Sequence, residues 1–480
     1  MSSSRICMRT TVFGSPRLVP VWKYRVGGPL TRSVSSSVTF TAIDKSPSTP
    51  ASENKPHLSG KLRVPLLKSP SHLGHFTSRV NRLYNEDKYS ANVLSLKKTG
   101  KSKTAGSSGN TKKSNPEVDA HATVFNFSIF DGHGGEQCST FLKENLAQAI
   151  EDSDQLCGKS DKERNELVKK YWKNIGGYWK RWYKHRKDNF AKMMDHDRNQ
   201  IKLQEFPNLR DDLSVRLPMS FLKLDYDFFE SEDNKSGSTA TSAFIETIYS
   251  EPELHSNVFE NYYFNRKSIS KLTVAQVGDT RAIIVDKNGE AQALTATHHP
   301  SNPEEAARLR KYAANFFMTD SFGEERFISL ANTRSFGDLN FKEVGVTSEP
   351  ELAQFIIGDE QTISKKLTDD EIAKYTIGGL GGDEAFLVLM SDGVTNVITD
   401  QEVADIVMVN VNMKGSPKAT PQLCAEEVVK FVEYIGGDDN ATCLVVRLNG
   451  WGKWPSMDRT GELRQERMND YNPRGVDVGA

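Results

Sequence analysis

The chain has 480 residues, a length that suits roughly two to four ordinary domains or one large domain with tails and insertions. Its 62 basic and 63 acidic residues leave a net charge of −1, so we expect no nucleic-acid partner, while 37% hydrophobic residues suffice for a buried core. No run of roughly 18 apolar residues and no Cys-x-x-Cys pair occurs, which argues against a transmembrane segment, a disulfide scaffold and a structural zinc site.

The N-terminal segment has the composition of an organelle transit peptide. From residue 1 to residue 43 it contains six Lys or Arg, thirteen Ser or Thr and no acidic residue. Such a segment is attracted to import receptors, and no apolar block follows it as in a secretory signal. We predict a mitochondrial transit peptide or disordered segment over residues 1–45, and therefore a mitochondrial location. The alternative is a disordered tail that lacks acidic residues without being a targeting signal. Residues 46–75 are interpreted as a linker and the entry to the core, and residues 451–480 as a polar tail.

The first predicted strand and helix lie before residue 151. Residues 123–130 alternate β-branched and aromatic side chains, which indicates a strand, and a glycine-rich turn ends it. Residues 136–150 place apolar side chains at helical spacing. Two further strands, residues 271–277 and 282–285, flank a Gly-Asp turn, and an Asp-Lys-Asn-Gly hairpin signal follows them.

The C-terminal half predicts capped helices and two more strands. Thr399 and Glu402 form a capping box at the start of one helix, and residues 421–435 form the next. Residues 385–390 are continuously apolar and indicate a buried strand, and residues 442–448 indicate the last one. Because the strands come in groups, we favour antiparallel sheets with helices outside them over a doubly wound fold.

Two basic stretches interrupt this pattern. Residues 97–116 hold six lysines and no acidic residue, which indicates a flexible loop, with docking of an acidic partner as the alternative. Residues 161–198, within an insertion over 159–235, hold twelve basic residues, six acidic residues and seven aromatics. We interpret the insertion as amphipathic and helical, with aromatics that cover the domain. Docking of a partner or a membrane surface and stacking of RNA are the alternatives.

Carboxylates recur where apolar strands meet glycine-containing turns. Side chains at such positions emerge together at the edge of a sheet, and clustered carboxylates repel one another unless cations neutralise them. Oxygen ligands select Mg²⁺ or Mn²⁺, and two such ions about 3.5–4 Å apart lower the pKa of a bridging water and clamp a phosphoryl group. The candidate residues are Glu86, Asp87, Asp131, Asp279, Asp392 and Asp439.

These carboxylates belong to a larger set of motifs. In chain order the motifs are Arg82 with Glu86-Asp87, Phe130-Asp131-Gly132-His133-Gly134-Gly135, Gly237-Ser238-Thr239-Ala240, Val277-Gly278-Asp279-Thr280-Arg281-Ala282, Thr333-Arg334-Ser335-Phe336-Gly337-Asp338, Glu349-Pro350, Leu389-Met390-Ser391-Asp392-Gly393-Val394 and Asp439-Asn440-Ala441-Thr442. Through them the chain resembles the metal-dependent Ser/Thr protein phosphatases of the protein phosphatase 2C family. We expect a catalytic domain over residues 76–450, interrupted by the insertion.

The resemblance implies both a fold and a reaction. The implied fold is α+β with four layers, in which two antiparallel sheets lie face to face between helical layers. The implied reaction is hydrolysis of phosphoserine and phosphothreonine by direct attack of a water that bridges two Mg²⁺ or Mn²⁺ ions, with a weaker third ion as an option. In agreement, no cysteine lies in a Cys-x5-Arg phosphatase loop.

The resemblance also implies roles for single residues. Arg82 is expected to bind the substrate phosphate through its planar fork, and His133 is expected to protonate the leaving oxygen. Asp131 is the implied ligand of both ions, and Asp392 and Asp439 are the further ligands of the first ion. The Gly132 carbonyl and Glu86, with Asp87 beside them, are the implied ligands of the second ion. Asp279 with Asp392 is implied to hold the third ion.

Other residues of the motifs are interpreted as structural. Gly237 belongs to a tight packing turn, and Asp338 after Gly337 is expected to bond local backbone groups. His298 and His299 are adjacent and point apart, so we do not expect them to bind a metal ion together.

Two regions depart from the family pattern. His298-His299-Pro300 follows Thr297 where the family has Asp-His-Lys-Pro, so we expect activity to survive beside a rearranged loop. Residues 311–328 diverge from the family pattern, so the substrate choice of other family members cannot be assumed for this chain.

The insertion and the N-terminus resemble a fungal mitochondrial branch of the family. This resemblance implies mitochondrial phosphoproteins, among them the pyruvate dehydrogenase complex, as substrates. We expect a monomer; a catalytically weak binding scaffold in mitochondria is the alternative.

Overall fold

The computed structural model describes most of the chain from residue 34 onward. It covers residues 34–42, 60–97, 121–153, 161–175, 200–207, 209, 213–231, 235–251, 262–313, 317–319, 325–328, 330–342, 344–415 and 417–470. Two large antiparallel sheets lie face to face in this part, and helices cover both outer faces. The predicted four-layer α+β fold is therefore confirmed.

The strands of the described part are β1 (Ser37–Ala42), β2 (Gly60–Pro65), β3 (Leu73–Ser78), β4 (Lys88–Lys97), β5 (His121–His133), β6 (Gly237–Ser250), β7 (Ser268–Val277), β8 (Arg281–Val285), β9 (Ala291–Ala293), β10 (Phe317–Thr319), β11 (Glu325–Phe327), β12 (Phe336–Gly337), β13 (Glu351–Gly358), β14 (Phe386–Met390) and β15 (Ala441–Arg447). The first sheet has the order β13-β7-β6-β5-β4, with β12 paired to β6, and the second has the order β3-β15-β14-β8-β9. Two hairpins, β1 with β2 and β10 with β11, pair separately.

The α-helices are α1 (Gln137–Glu151), α2 (Asp161–Asn174), α3 (Leu213–Phe229), α4 (Pro303–Ala313), α5 (Leu339–Lys342), α6 (Glu360–Lys366), α7 (Asp369–Tyr375), α8 (Asp392–Thr395), α9 (Asp400–Lys414), α10 (Pro421–Tyr434) and α11 (Gly461–Asp470). The predicted capping box is present at the start of α9, where Thr399 accepts from the backbone N–H of Glu402 and the Glu402 side chain accepts in return. No helix in this part of the chain is long and apolar enough to cross a bilayer.

Apolar side chains of alternating direction build the layers. Leu387 and Leu389 of β14 point into the space between the sheets, whereas Phe386, Val388 and Met390 point toward α9 and α10. On the other side of the molecule, α1 and α3 cover the outer face of the first sheet. Both sheets are therefore buried on both faces.

The N-terminal hairpin lies partly inside the predicted transit peptide. Val38 of β1 is buried in the core between the sheets, and the Tyr262 hydroxyl donates to the backbone oxygen of Thr39 at 2.6 Å. Ser35 pairs with Val93 of β4. Residues 34–42 are thus part of the fold. Residues 1–33 lie outside the described residues, and the transit peptide stays a prediction.

The predicted insertion over 159–235 contains two helices of different character. α3 belongs to the helical layer of the core, because Phe221 and Phe228 pack against the first sheet. α2 packs on α3 from outside, through Tyr171 and Leu222 among others. The bounds of the insertion stay a prediction. Residues 176–199, which hold several of its aromatics, lie outside the described residues.

The first part of the predicted C-terminal tail is packed on the domain. Trp451 and Trp454 are buried and contact the Phe386 ring edge to face, at centroid distances of 5.7 and 5.6 Å. Arg467 of α11 pairs with buried Glu402 of α9 at 2.7 Å. Residues 451–470 thus cover the second helical layer.

The flexible loop predicted over residues 97–116 lies outside the described residues, except for residue 97.

Candidate active site

Three aspartates meet at one edge of the two sheets. Asp131 lies near the end of β5, opposite Thr239 of β6. Asp279 occupies the turn between β7 and β8, and Asp392 begins α8 directly after β14. One carboxylate oxygen of each lies within 4.8 Å of the other two. The structure thus brings three predicted metal ligands together, although β5 continues through Asp131 to His133 instead of ending before the aspartate.

Burial and mutual repulsion destabilise these three carboxylates when all of them are ionised and no cation is bound. Burial, followed by the charges of Asp392, Asp87 and Asp279, raises the pKa of Asp131 well above its usual range. Burial, followed by the charge of Asp279, raises the pKa of Asp392 to about 7. A divalent cation removes this repulsion, and oxygen donors suit Mg²⁺ or Mn²⁺. The residues present therefore fit a hard metal ion.

Asp87 stands outside this group of three. Its Oδ2 accepts hydrogen bonds from the hydroxyls of Ser391 at 2.8 Å and Thr442 at 2.6 Å, which tie it to the ends of β14 and β15. Its Oδ1 is buried and has no hydrogen-bond partner among the described residues. Burial raises the pKa of Asp87 to about 7. A cation or a proton at this unpaired oxygen would stabilise the buried carboxylate.

Arg82 and Asp439 contact one another at the same edge. Arg82 Nη2 lies 2.8 Å from Asp439 Oδ2, and its Nε donates to the backbone oxygen of Asp438 at 3.0 Å. The backbone N–H of Glu86 donates to Oδ1 of Asn440 at 2.8 Å, so the segment with Arg82 and Glu86 is held against the start of β15. More than half of the Arg82 side chain is exposed, which leaves the guanidinium accessible to a substrate.

Gly132 lies between Asp131 and His133 and pairs with Ser238 of β6. The Ser139 hydroxyl of α1 donates to the backbone oxygen of Glu86 at 2.6 Å. Through this contact α1 holds the backbone of residue 86 next to the end of β5. All the predicted site residues therefore lie on one edge of the fold.

The predicted general acid has a carboxylate partner. His133 Nε2 lies 2.8 Å from Oδ2 of Asp338, which also accepts from the Ser335 hydroxyl at 2.6 Å. Burial lowers the pKa of His133, but the hydrogen bond and charge of Asp338 outweigh it and hold the pKa above its ordinary value. Asp338 was expected to bond local backbone groups, but its carboxylate bonds the side chains of His133 and Ser335 instead. The motif contains this aspartate, but no local signal indicates its partner.

His298 supports the turn that carries Asp279. Its Nδ1 accepts from the backbone N–H of Gly278 at 3.0 Å, and its Nε2 lies 2.9 Å from Oε2 of Glu351. Burial, followed by the charge of Arg334, lowers the pKa of His298. Sequence reasoning assigned no role to this histidine, because the turn that it holds lies twenty residues earlier in the chain.

Comparison with known proteins points to one family. The protein phosphatase 2C family model matches residues 178–364 and 374–441. Protein phosphatase 2C homolog 4 of Schizosaccharomyces pombe is 33% identical over 419 residues, which cover 86% of this chain and 89% of the relative. Protein phosphatase 1K, mitochondrial, of Xenopus laevis is 33% identical over 189 residues, which cover 39% of this chain and 42% of that relative.

More distant relatives and solved structures are similar over much of the chain. Probable protein phosphatase 2C member 13, mitochondrial, of Oryza sativa subsp. japonica is 23% identical over 336 residues, or 69% of this chain and 62% of the relative. A crystal structure of a phosphatase from Toxoplasma gondii aligns with a TM-score of 0.46 and 16% identity, over 79% of this chain and 92% of that one.

Proposed function

The chain belongs to the protein phosphatase 2C family and is a Ser/Thr protein phosphatase; on this premise we propose that it dephosphorylates mitochondrial phosphoproteins with two divalent metal ions. The observation that carries the metal-dependent reaction is the meeting of three carboxylates, Asp131, Asp279 and Asp392, within 4.8 Å. Buried carboxylates at this spacing need positive charge, and Mg²⁺ or Mn²⁺ provides it without the sulfur or imidazole ligands typical of zinc.

The proposed metal ligands follow the family resemblance. When bound, the ions polarise a phosphoryl oxygen and lower the pKa of water. Asp131 is proposed to hold both ions, together with Asp392 and Asp439 at the first ion. The Gly132 carbonyl and Glu86, with Asp87, are proposed for the second ion. Asp279 with Asp392 is proposed to hold a weaker third ion.

Arg82 and His133 are proposed to act on the substrate. Asp439 holds the Arg82 guanidinium in place from one side, and the exposed remainder of the planar fork suits two phosphate oxygens. Asp338 bonds Nε2 of His133, and Nδ1 has no hydrogen-bond partner among the described residues. Nδ1 is therefore the nitrogen proposed to donate its proton to the serine or threonine oxygen as the phosphate leaves.

The proposed location and substrates rest on composition and on relatives. The first 43 residues are basic and free of acidic residues, and two of the relatives above carry mitochondrial in their names. Mitochondrial phosphoproteins such as the phosphorylated pyruvate dehydrogenase complex are the proposed substrates. The basic and aromatic composition of the insertion supports docking of a partner or a membrane surface there. We propose a monomer as the active unit.

The proposed reaction is tested on the purified full chain. Hydrolysis of a phosphothreonine peptide and of p-nitrophenyl phosphate is measured with Mn²⁺, with Mg²⁺ and with EDTA. We expect turnover that needs either metal and disappears in Asp392→Asn. Asp400→Asn is the matched control, because Asp400 is also a helix-start aspartate but pairs with Arg281 at 2.5 Å, outside the acidic group. No turnover by the folded, metal-saturated chain would favour the alternative of a non-catalytic scaffold.

The proposed location needs a separate measurement. The radiolabelled full chain is incubated with isolated mitochondria in the presence and absence of a membrane potential. We expect potential-dependent uptake into a protease-protected compartment. Uptake that does not depend on the potential, or a chain that stays accessible to protease, contradicts the location without affecting the phosphatase reaction.

A further inference from the structure

A buried chain of polar contacts begins in the insertion. Tyr171 of α2 is buried, and its hydroxyl donates to Oδ2 of Asp225 in α3 at 2.5 Å. The surrounding contact between the two helices is apolar, with Val168 and Ile175 of the insertion packed against Leu222 of α3. The tyrosine hydroxyl therefore reaches through an apolar contact to a buried carboxylate of the core helix.

Asp225 continues this path to the loop over residues 335–338. Its Oδ1 accepts the backbone N–H of Gly337 at 2.8 Å. Its Oδ2 lies 2.8 Å from Nζ of Lys342, and both side chains are fully buried. Nζ of Lys342 also donates to the backbone oxygen of Ser335 at 2.6 Å. Asp225 thus holds the loop at two backbone points, once directly and once through Lys342.

The loop carries the carboxylate that orients His133. Gly337 has a φ of +66°, and a Cβ there would lie 2.2 Å from the backbone oxygen of Ser236, so the loop is tightly packed. The next residue, Asp338, bonds His133 at 2.8 Å and Ser335 at 2.6 Å. Asp225 is therefore linked to His133 through this loop and Asp338.

We propose that Tyr171 is a positioning residue, through which the insertion sets the orientation of His133. Asp225 is a buried anion whose oxygens are held by the tyrosine hydroxyl, an ammonium and a backbone amide. Without the hydroxyl, Oδ2 is drawn toward Lys342 and the hydrogen bond from Gly337 is disturbed. The inference rests on the proposed function, because it needs His133 to protonate the leaving oxygen. It makes α2 part of the catalytic architecture as well as a cover for the core.

Leaving-group dependence separates positioning from simple stability. A threonine oxygen is a strongly basic leaving group that needs a proton, whereas p-nitrophenolate leaves without one. In the full chain with saturating Mn²⁺, we expect Tyr171→Phe to lower kcat for a phosphothreonine peptide about tenfold, with KM unchanged. We expect its rate on p-nitrophenyl phosphate to change less than about twofold.

The matched control is Tyr226→Phe. Tyr226 lies in the same contact between α2 and α3, where its hydroxyl accepts from Nδ2 of Asn174 at 2.6 Å, and no hydrogen bond joins this hydroxyl to Asp225 among the described residues. It should leave the ratio of the two rates unchanged. A second measurement combines Tyr171→Phe with Asp338→Asn. If the path ends at Asp338, the double variant loses no more peptide activity than Asp338→Asn alone.

His133→Gln separates the two possible failures. A selective loss on the peptide in His133→Gln, without one in Tyr171→Phe, overturns the inference and leaves the proposed function standing. An equal loss on both substrates in His133→Gln overturns the proposed role of His133 and the inference with it. Equal losses in Tyr171→Phe and Tyr226→Phe, or additive losses in the double variant, show that the tyrosine only stabilises the fold.

Discussion

His133 Nε2 and Asp338 Oδ2 lie 2.8 Å apart, although 205 positions separate the two residues in the chain. The contact fixes the imidazole ring at the edge where Asp131 and Asp279 also lie. Nδ1 of His133 has no hydrogen-bond partner among the described residues. The arrangement joins the proposed acid to a loop that is itself held by the helical layer.

Removing the charge of Asp338 should weaken proton donation without removing metal binding. Asp338→Asn keeps the shape of the side chain but holds the His133 ring less firmly. We expect rates to fall about 10- to 100-fold for substrates with basic leaving groups and little for acidic ones. The measurement is a plot of log kcat against leaving-group pKa for a series of aryl and alkyl phosphates. The slope should become steeper; a parallel downward shift of the whole line would contradict the assignment.

Gly237 should tolerate no side chain, because the proposed acid and its partner lie against it. A Cβ at this position would lie 2.3 Å from Nε2 of His133 and 2.5 Å from Oδ1 of Asp338. We expect Gly237→Ala to abolish most peptide turnover while costing about 1–3 kcal/mol of unfolding free energy. Ser238→Ala, one residue along β6, is the control without added volume. Wild-type turnover in folded Gly237→Ala would refute the need for this close contact.

The acidic group should make the metal-free protein less stable than it would otherwise be. Burial and the charge of Asp279 raise the pKa of Asp392, so its ionised form is costly in the native state. In EDTA at neutral pH, we expect Asp392→Asn to unfold at a higher temperature than the wild type. On addition of Mn²⁺, only the wild type should gain stability substantially. Calorimetry in both conditions checks this, and Asp400→Asn should retain the wild-type metal response.

Glu384 should make the stability depend on pH away from the active site. Its Oε2 accepts the backbone N–H of Gly358 at 3.0 Å, and burial raises the pKa of Glu384 to about 8. In the unfolded chain a glutamate ionises at pH ~4.3. Between these values the unfolded state releases a proton that the native state keeps, so this group costs stability as pH rises.

Glu384→Gln keeps an acceptor for Gly358 and cannot ionise. The stability of the variant relative to the wild type should therefore increase between about pH 5 and pH 8, by an amount on the order of several kcal/mol. Urea unfolding at both pH values measures it. A difference between the two proteins that stays constant across this range would show that Glu384 is already ionised in the native state.

Local patterns in the sequence determined much of the fold and part of the site. The run over 385–390 corresponds to β14, the Thr399–Glu402 capping box begins α9, and the helix predicted over 421–435 corresponds to α10. These features depend on side-chain periodicity and on capping within a few residues. The same is true of an aspartate beside a glycine turn at a strand end, which is why Asp131, Asp279 and Asp392 could be selected before their distances were known.

Only the tertiary structure decided which polar groups meet across long stretches of chain. The pairing of His133 with Asp338 depends on the register of β5, β6 and β12, and the pairing of Tyr171 with Asp225 depends on how α2 packs on α3. A hydrogen bond needs its atoms placed to within a few tenths of an ångström, and only the packing of the whole core supplies that precision. For that reason the sequence predicted the candidate metal-binding carboxylates, but it did not predict the residues that orient the proposed acid His133.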